Sequence, residues 1–138
     1  MSAELLRRCT TVEECYEFML AYAAQGVSSA DGGQSGGRIR EVLRQAVQAL
    51  AGLAAACTTA VAADSPDAAE TCSAFLGVLD RDACDSIRTI ELVLAQPTIS
   101  SQLIDNLNAS MHLRAVLTDL FLLGDIVRQQ TLVASSTR

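Results

Sequence analysis

NASMHLRAVLTDLFLLGDIVRQQ, residues 108–130, is the stretch of this 138-residue chain that decides the fold. Its apolar residues recur at the three- and four-residue spacing of a helix. From Val116 onward they cover well over half of the helix circumference, and Thr118, Asp119 and Asp125 leave only a narrow polar strip. A helix on the outside of a monomeric bundle needs an apolar stripe only about 100° wide. This helix therefore carries more apolar surface than one core requires.

Two interpretations explain that surplus. In the first, the helix is central and contacts neighbours on both sides. In the second, the extra face packs against a second copy of the chain, so that the protein is a homodimer. We favour the second slightly, because the first helix of the chain is predicted to be short and leaves the bundle under-covered. The residues predicted for self-association are Val116, Leu120, Leu122, Leu123 and Ile126.

The first helix is predicted from Thr11 to Gln25. Thr11 and Glu14 form a capping-box pattern, in which each side chain satisfies a free backbone N–H at the start of a helix. Gly26 is a natural C-terminal stop, since glycine readily adopts the left-handed conformation found there. Residues 1–10 are then an N-terminal arm outside the helix.

Three longer helices are predicted after a loop. Residues 26–37 are rich in glycine and serine and predict a flexible connection. The second helix follows to about residue 63. Ser65 is then a good N-cap with Pro66 at the first helical position, where a missing N–H costs nothing. The last helix is predicted over 99–133, with a disordered tail at 134–138.

These segments predict an all-α fold made of a single domain, residues 1–138. Long helices, tight turns and heptad-like apolar stripes favour an antiparallel four-helix bundle with a short first helix and three long helices. The composition agrees, since half of the residues are apolar, alanine is abundant and tryptophan is absent. Alanine has the highest helix propensity and lets helices approach closely.

The charge and cysteine content narrow the classes of function. The formal net charge is −6 and every basic residue is arginine. An acidic chain is repelled by phosphate backbones and by anionic lipids, so we expect neither a nucleic-acid nor a membrane partner. The N-terminal residues lack the apolar core of a signal peptide. Five cysteines, an odd number, suit free thiols rather than a secreted disulfide framework, and we expect a soluble cytoplasmic protein.

His112 is the only histidine and the only side chain that titrates near neutral pH without help. A helical bundle with one histidine resembles the histidine phosphotransfer domains, which implies a phosphoacceptor role for His112. That family has a small residue, a leucine, a basic residue and a glycine after its histidine. Here the run is His112-Leu113-Arg114-Ala115, so the spacing is shifted and the glycine is absent. A surface or hydrogen-bonded histidine is the preferred interpretation, and phosphotransfer is the weaker alternative.

No metal site is predicted. Di-iron bundles place a glutamate three residues before each histidine ligand, and His112 has none there. The acidic residues Asp80, Asp82 and Asp85 do not all converge on one side of a helix, so a solvated face is the preferred interpretation. We expect no metal and no cofactor.

The cysteines show no C-x-x-C pair. Cys57 and Cys72 lie at similar distances on either side of the turn before Pro66, so antiparallel helices would bring the two thiols near each other. Core thiols explain this spacing. A redox-sensing pair is the alternative, and it would require one exposed thiol with a low pKa.

The stretch GGQSGGRIR offers a candidate anion site. Glycines before a helix can present backbone N–H groups to an anion, and the helix dipole favours negative charge there. No Lys-Ser/Thr pair follows, so the stretch is not a Walker loop. A flexible linker followed by solvated arginines is the alternative. The residues predicted to hold a phosphate or carboxylate are Ser35, Gly36, Gly37, Arg38 and Arg40.

The sequence carries no Ser-His-Asp set, no nucleotide-binding fingerprint and no buried acid–base pair that spacing alone would reveal. We therefore favour a small helical protein that acts by protein–protein contact, as a homodimer, an adaptor or an assembly factor, over an enzyme. A bundle that binds a small anion or another small molecule through Ser35–Arg40 is the alternative. Phosphotransfer through His112 is the weaker one.

Overall fold

A computed structural model describes residues 2–28 and 34–136 of the chain. Within those ranges the backbone forms six α-helices and no strand, so the predicted all-α class is confirmed. The helices are α1 (Ala3–Gln25), α2 (Gln34–Leu50), α3 (Leu53–Asp64), α4 (Pro66–Leu94), α5 (Ser101–Ala109) and α6 (His112–Ser136).

The first helix is longer than predicted. Its N-cap is Ser2, whose Oγ accepts a hydrogen bond from the Leu5 N–H at 3.1 Å. Thr11, the predicted start, lies inside the helix and donates its hydroxyl to the Arg7 carbonyl. The expected N-terminal arm is therefore helical from Ala3 onward, because serine caps a helix as well as threonine does. The predicted stop at Gly26 is confirmed, with φ of 70°.

The second predicted helix is divided into α2 and α3. Gly52 adopts the left-handed conformation, with φ of 80°, and the two helices meet at a bend of 44°. Glycine tolerates this conformation because it has no Cβ. The predicted loop over 26–37 ends earlier than expected, since Gly36 and Gly37 belong to α2. Its residues 29–33 lie outside the described part of the chain.

The last predicted helix is divided as well. Met111 takes a left-handed φ of 68° between α5 and α6, a conformation that residues other than glycine seldom adopt. The third predicted helix stays whole as α4, with Ser65 as its N-cap and Pro66 in its first turn. The arrangement with three long helices is therefore not confirmed. The predicted tail over 134–138 is helical as far as Ser136, and its last two residues lie outside the description.

The helices enclose one continuous cluster of buried apolar side chains, to which all six contribute. α4 packs against α3 and α6, and α1 packs against α2 and α5. Asp64, just before α4, and Arg128, late in α6, line the same cleft, so α6 runs antiparallel to α4. In the described residues no single helix has the length and apolarity to cross a membrane, and only α2 and α3 taken together as one bent pair meet that criterion.

Candidate functional site

The outer part of α6 exposes two large apolar side chains at consecutive positions. Phe121 is 60 % exposed and Leu122 is 46 % exposed. On the inner face, Val116 is fully buried and Leu123 is 6 % exposed. The helix is therefore apolar on two sides, one that packs into the core and one that faces outward. Single exposed apolar residues are common, but adjacent large ones form a surface that contacts a partner more readily than water.

The neighbouring helix extends that outer face. Asp82 of α4 interacts with Asp119 of α6, and the two helices are antiparallel. Val78 lies one turn before Asp82 on α4 and is 40 % exposed. Because the helices are antiparallel, it lies on the side of Asp82 that faces the C-terminal half of α6. We call Val78, Phe121 and Leu122 the outer apolar surface. Its members come from two helices that the core already holds in place.

The structure separates the five residues predicted for self-association. Val116 and Leu123 belong to the core, and Leu120 and Ile126 are half-buried against it. Of the five, only Leu122 is exposed. The sequence carries a signal for this division, because positions 116, 120 and 123 follow one three-four stripe and 121 lies on the opposite side. Phe121 was missed by the prediction, although it is the more exposed side chain.

A buried carboxyl group lies between α4 and α6. The side chain of Asp119 is 8 % exposed, and its Oδ2 has no hydrogen-bond partner among the described residues. Burial, followed by hydrogen bonding with Asp82 and the charge of Asp82, raises the pKa of Asp119 to about 7. A carboxyl group that is buried near a second carboxyl group favours its protonated form, because the charged form loses hydration and is repelled. We call Asp82 and Asp119 the acid pair, in which burial favours the protonated form of Asp119.

This acid pair corrects two predictions from the sequence. Asp119 was assigned to an exposed polar strip, and Asp82 to a solvated acidic face. Asp119 lies three residues after Val116 and four before Leu123, which places it at the border of the inner stripe. Its partner lies on a distant helix, so no local pattern indicates the pairing. Among the described residues no group of three or more potential metal ligands assembles around it or elsewhere.

An apolar cleft opens between α1, α3 and α6, and we call it the α1–α3–α6 cleft. Its volume is about 260 Å³. The cleft brings the thiols of Cys9 and Cys57 together from two helices, and burial is the main reason why the pKa of each thiol is raised, for Cys57 to about 12. Both are protonated at neutral pH and are poor nucleophiles. The predicted neighbours Cys57 and Cys72 are each buried in the core as free thiols.

The two arginines of the predicted anion site have other partners. The Arg40 guanidinium donates to the carbonyls of Leu94, Gln96 and Pro97, at 2.9, 2.6 and 3.0 Å. It thus satisfies the last carbonyl of α4 and two carbonyls just after the helix, none of which has a partner within the helix. Arg38 lies over the ring of Phe18, with its Cζ 5.6 Å from the ring centroid.

The remaining members of that site are on the backbone of α2. Ser35, Gly36 and Gly37 lie in the first turn of the helix, which begins at Gln34. The structure therefore brings these residues together at one helix start but directs the Arg40 donors to α4.

His112 is the first residue of α6 and is half-buried. It directly follows Met111, whose left-handed backbone joins α5 to α6.

Arg8, like Arg40, binds backbone carbonyls at a helix end, and we call these two residues the arginine clamps. Neither clamp was predicted from the sequence. Arg8 of α1 donates to the carbonyls of Gln48, Ala49 and Ala51 at the end of α2, and it forms an ion pair with Glu4. Like Arg40, it binds carbonyls on a helix far away in the sequence. Only the packing of the helices brings such partners together.

A comparison of the chain with protein-family models, with curated proteins and with solved structures finds no match.

Proposed function

We propose that this protein works by protein–protein contact, and in the first place by contact with a second copy of itself through the outer apolar surface. The observation that carries the proposal is the exposure of the consecutive residues Phe121 and Leu122 on a helix whose inner face is already occupied by the core. Val78 on the adjacent α4 widens the surface across the groove between two helices.

A two-fold symmetric dimer suits such a surface. In a symmetric dimer the same patch is used by both copies, so one apolar area is sufficient to cover itself. The surface includes one aromatic side chain, Phe121, and aromatic residues are enriched at interfaces. Beside it, Asp125 and Arg128 form an ion pair at the polar edge of α6.

The net charge of the chain predicts how the stability of such a dimer depends on salt. Each copy carries a formal charge of −6, so two copies repel each other at long range. Salt screens that repulsion over about 10 Å at 0.1 M ionic strength. The dimer should therefore strengthen as salt is added, which is the behaviour of an apolar interface and the opposite of one held by ion pairs.

The alternative functions have less support. Binding of a small anion through the start of α2 would use Arg40, whose guanidinium already serves the carbonyls of α4. Phosphotransfer through His112 would need an imidazole that a partner protein can reach, whereas His112 is half-buried. A cytoplasmic location remains a prediction from the sequence and belongs to this proposal.

The test is the solution mass by light scattering over a range of concentrations and at two salt concentrations. We expect a dimer for the native chain. Leu122→Glu should yield a folded monomer, because it places a charge in the centre of the contact. Leu92→Glu is the matched control, since Leu92 is 65 % exposed and lies near the other end of α4. This control should remain dimeric.

Circular dichroism decides whether each variant is folded. A native chain that is monomeric at high concentration would contradict the proposed self-association. A dimer that persists in Leu122→Glu and also in Phe121→Glu would place the interface elsewhere.

A further inference from the structure

The α1–α3–α6 cleft has the volume of a small ligand. It measures about 260 Å³. A dry cavity of about 150 Å³ lined by aliphatic and aromatic side chains accommodates benzene. In the same proportion, this cleft holds a molecule of about ten non-hydrogen atoms. The residues that line it are Leu5, Cys9, Cys57, Ala60, Val61, Asp64, Leu120, Leu123, Gly124, Val127 and Arg128.

The floor of the cleft is apolar. Leu5, Cys57 and Leu123 are each at least nine-tenths buried, and their side chains close it from three different helices. Water in such a space finds few hydrogen-bond partners, so an apolar molecule displaces it at little cost. The helices α1, α3 and α6 all belong to the common core, so the walls are held in place without a ligand.

The charges at the cleft select against an ionic ligand. Asp64 contributes a carboxylate and Arg128 a guanidinium, and the guanidinium is already paired with Asp125. The thiols of Cys9 and Cys57 are neutral at pH 7, because burial raises the pKa of each. A ligand of either charge would lose hydration over the apolar floor, and the Arg128 guanidinium, which could pair with an anion, is already held by Asp125.

Gly124 keeps the wall open. It lies in the interior of α6, where a Cβ would meet only the Arg128 Nη1 at 4.0 Å. Glycine is less favourable than alanine in the interior of a helix, although this position has room for a side chain. A side chain at Gly124 would extend over the cleft. Gly77 of α4 is a second interior glycine with open space around it, but it does not line the cleft, so it provides a matched position.

We propose that the α1–α3–α6 cleft is a binding site for a compact, uncharged apolar molecule of about ten non-hydrogen atoms. The site is separate from the outer apolar surface, because Val78, Phe121 and Leu122 do not line it. It does not require the chain to be a dimer.

The test uses indole as an uncharged probe and benzoate as a charged probe of similar size, titrated into the full chain with isotope-labelled backbone amides. We expect saturable shifts of the Cys57, Leu123 and Gly124 amide signals with indole, with a Kd of about 0.1–1 mM for a ligand this small. Benzoate should bind at least tenfold more weakly. The same titration in Leu122→Glu should give the same Kd, which separates this site from the proposed self-association.

Two variants block the cleft. Gly124→Leu should weaken indole binding at least tenfold, whereas Gly77→Leu should leave it unchanged. Ala60→Leu fills the cleft from α3 and should reproduce the loss if Gly124→Leu does not fold. The proposal is overturned if indole gives no saturable shifts at these amides. It is also overturned if both blocking variants fold and bind indole as the native chain does, or if benzoate binds as tightly as indole.

Discussion

The junction between α1 and α5 and the body of α6 are held in the fold by different forces. At the junction, the Tyr22 hydroxyl donates to the Ile99 carbonyl at 2.5 Å and the Ser101 Oγ donates to the Tyr22 carbonyl at 2.5 Å. The Val27 N–H donates to the Ser101 Oγ at 2.7 Å, and the Ser101 N–H to the Val27 carbonyl at 2.8 Å. We call Tyr22, Val27, Ile99 and Ser101 the polar junction.

α6 is attached mainly by apolar packing. Val116, Leu117 and Leu123 enter the core, while the side-chain hydrogen bonds of Thr118 and Arg128 stay within the helix. Its buried polar group, Asp119, is placed against another carboxyl group rather than against a donor. Directional bonds define one geometry at the polar junction. Apolar packing holds α6 but leaves a cleft on one side and an exposed surface on the other.

This difference teaches where function can arise in a small helical protein. Buried polar groups that are fully satisfied specify a unique arrangement, and each of them is costly to disturb. An apolar contact tolerates exchange, because another apolar side chain or ligand can take the same place. Both proposed contacts therefore involve α6, and neither involves the polar junction.

The largest expected effect tests the acid pair beneath α6. Unfolded Asp119 loses its proton near its ordinary pKa of 3.8, whereas folded Asp119 holds it up to about 7. The folded state then binds the extra proton between these pH values, so the free energy of unfolding should fall as pH rises through that window and level off above it. At about 1.4 kcal/mol per pKa unit, the loss between pH 5 and pH 8 reaches about 3 kcal/mol.

Asp119→Asn should remove this pH dependence and be more stable than the native chain at pH 8, since its amide can donate to Asp82. Urea unfolding at pH 5 and pH 8 measures both effects. Asp80→Asn, which also removes one carboxylate from an exposed position of α4, is the control and should keep the native pH dependence. If the free energy of unfolding depends on pH equally in the native chain and in Asp119→Asn, the acid pair does not hold the extra proton.

The second prediction breaks the polar junction. Ser101→Ala removes the acceptor of the Val27 N–H and the donor to the Tyr22 carbonyl, at a buried position. Unsatisfied buried groups cost about 1–3 kcal/mol, so we expect a loss of about 2 kcal/mol in the free energy of unfolding. Ser100→Ala removes only a helix cap and should cost about 1 kcal/mol. Chemical denaturation compares the two, and equal losses would mean that the junction is no stronger than a cap.

The third prediction concerns the clamp beside the junction. Arg40→Met keeps the aliphatic part of the side chain but removes the donors to the last carbonyl of α4 and to two carbonyls just after it, so we expect a loss of about 1.5 kcal/mol. Arg44→Met, at an exposed position of the same helix, should change stability by less than about 0.5 kcal/mol. Thermal unfolding is sufficient to rank them. If Arg40→Met lowers the stability as little as Arg44→Met does, the Arg40 hydrogen bonds do not stabilise the fold.

The smallest expected changes in stability come from replacing one glycine in α6 and one beside the polar junction. Gly124→Ala in α6 should raise stability by about 0.5–1 kcal/mol, as helix propensity predicts where a Cβ has room. Gly26→Ala beside the polar junction should lower it by about 1 kcal/mol, because φ there is 70°. Urea midpoints report both changes. A loss at Gly124 would mean that the wall of the cleft tolerates no side chain.

Several elements of the fold could be predicted because their causes are local. Ser65 followed by Pro66 starts a helix wherever it occurs, and Gly26 ends one through its own conformational freedom. The break at Gly52 also had a local signal, but the long apolar stripe around it favoured a continuous helix. The left-handed Met111 had no such signal, since methionine does not prefer that conformation.

The candidate sites were less predictable. The apolar excess of α6 was visible in the sequence, and so was Leu122 as a surface residue. The acid pair, the two arginine clamps and the meeting of Cys9 with Cys57 were not, because each joins residues on different helices. Periodicity indicates which residues share a face of one helix but not which face of another helix they meet.

The sequence by itself determined the helical class, the caps of α4 and the two-sided apolar character of α6, because propensity, capping and periodicity act within about one turn of the chain. Only the tertiary structure decided that Asp119 is buried against Asp82, that Arg40 serves α4, and that one side of α6 faces a cleft while the other stays exposed. These outcomes depend on which helix surfaces come into contact. That is settled by the packing of the whole core, to which every helix contributes.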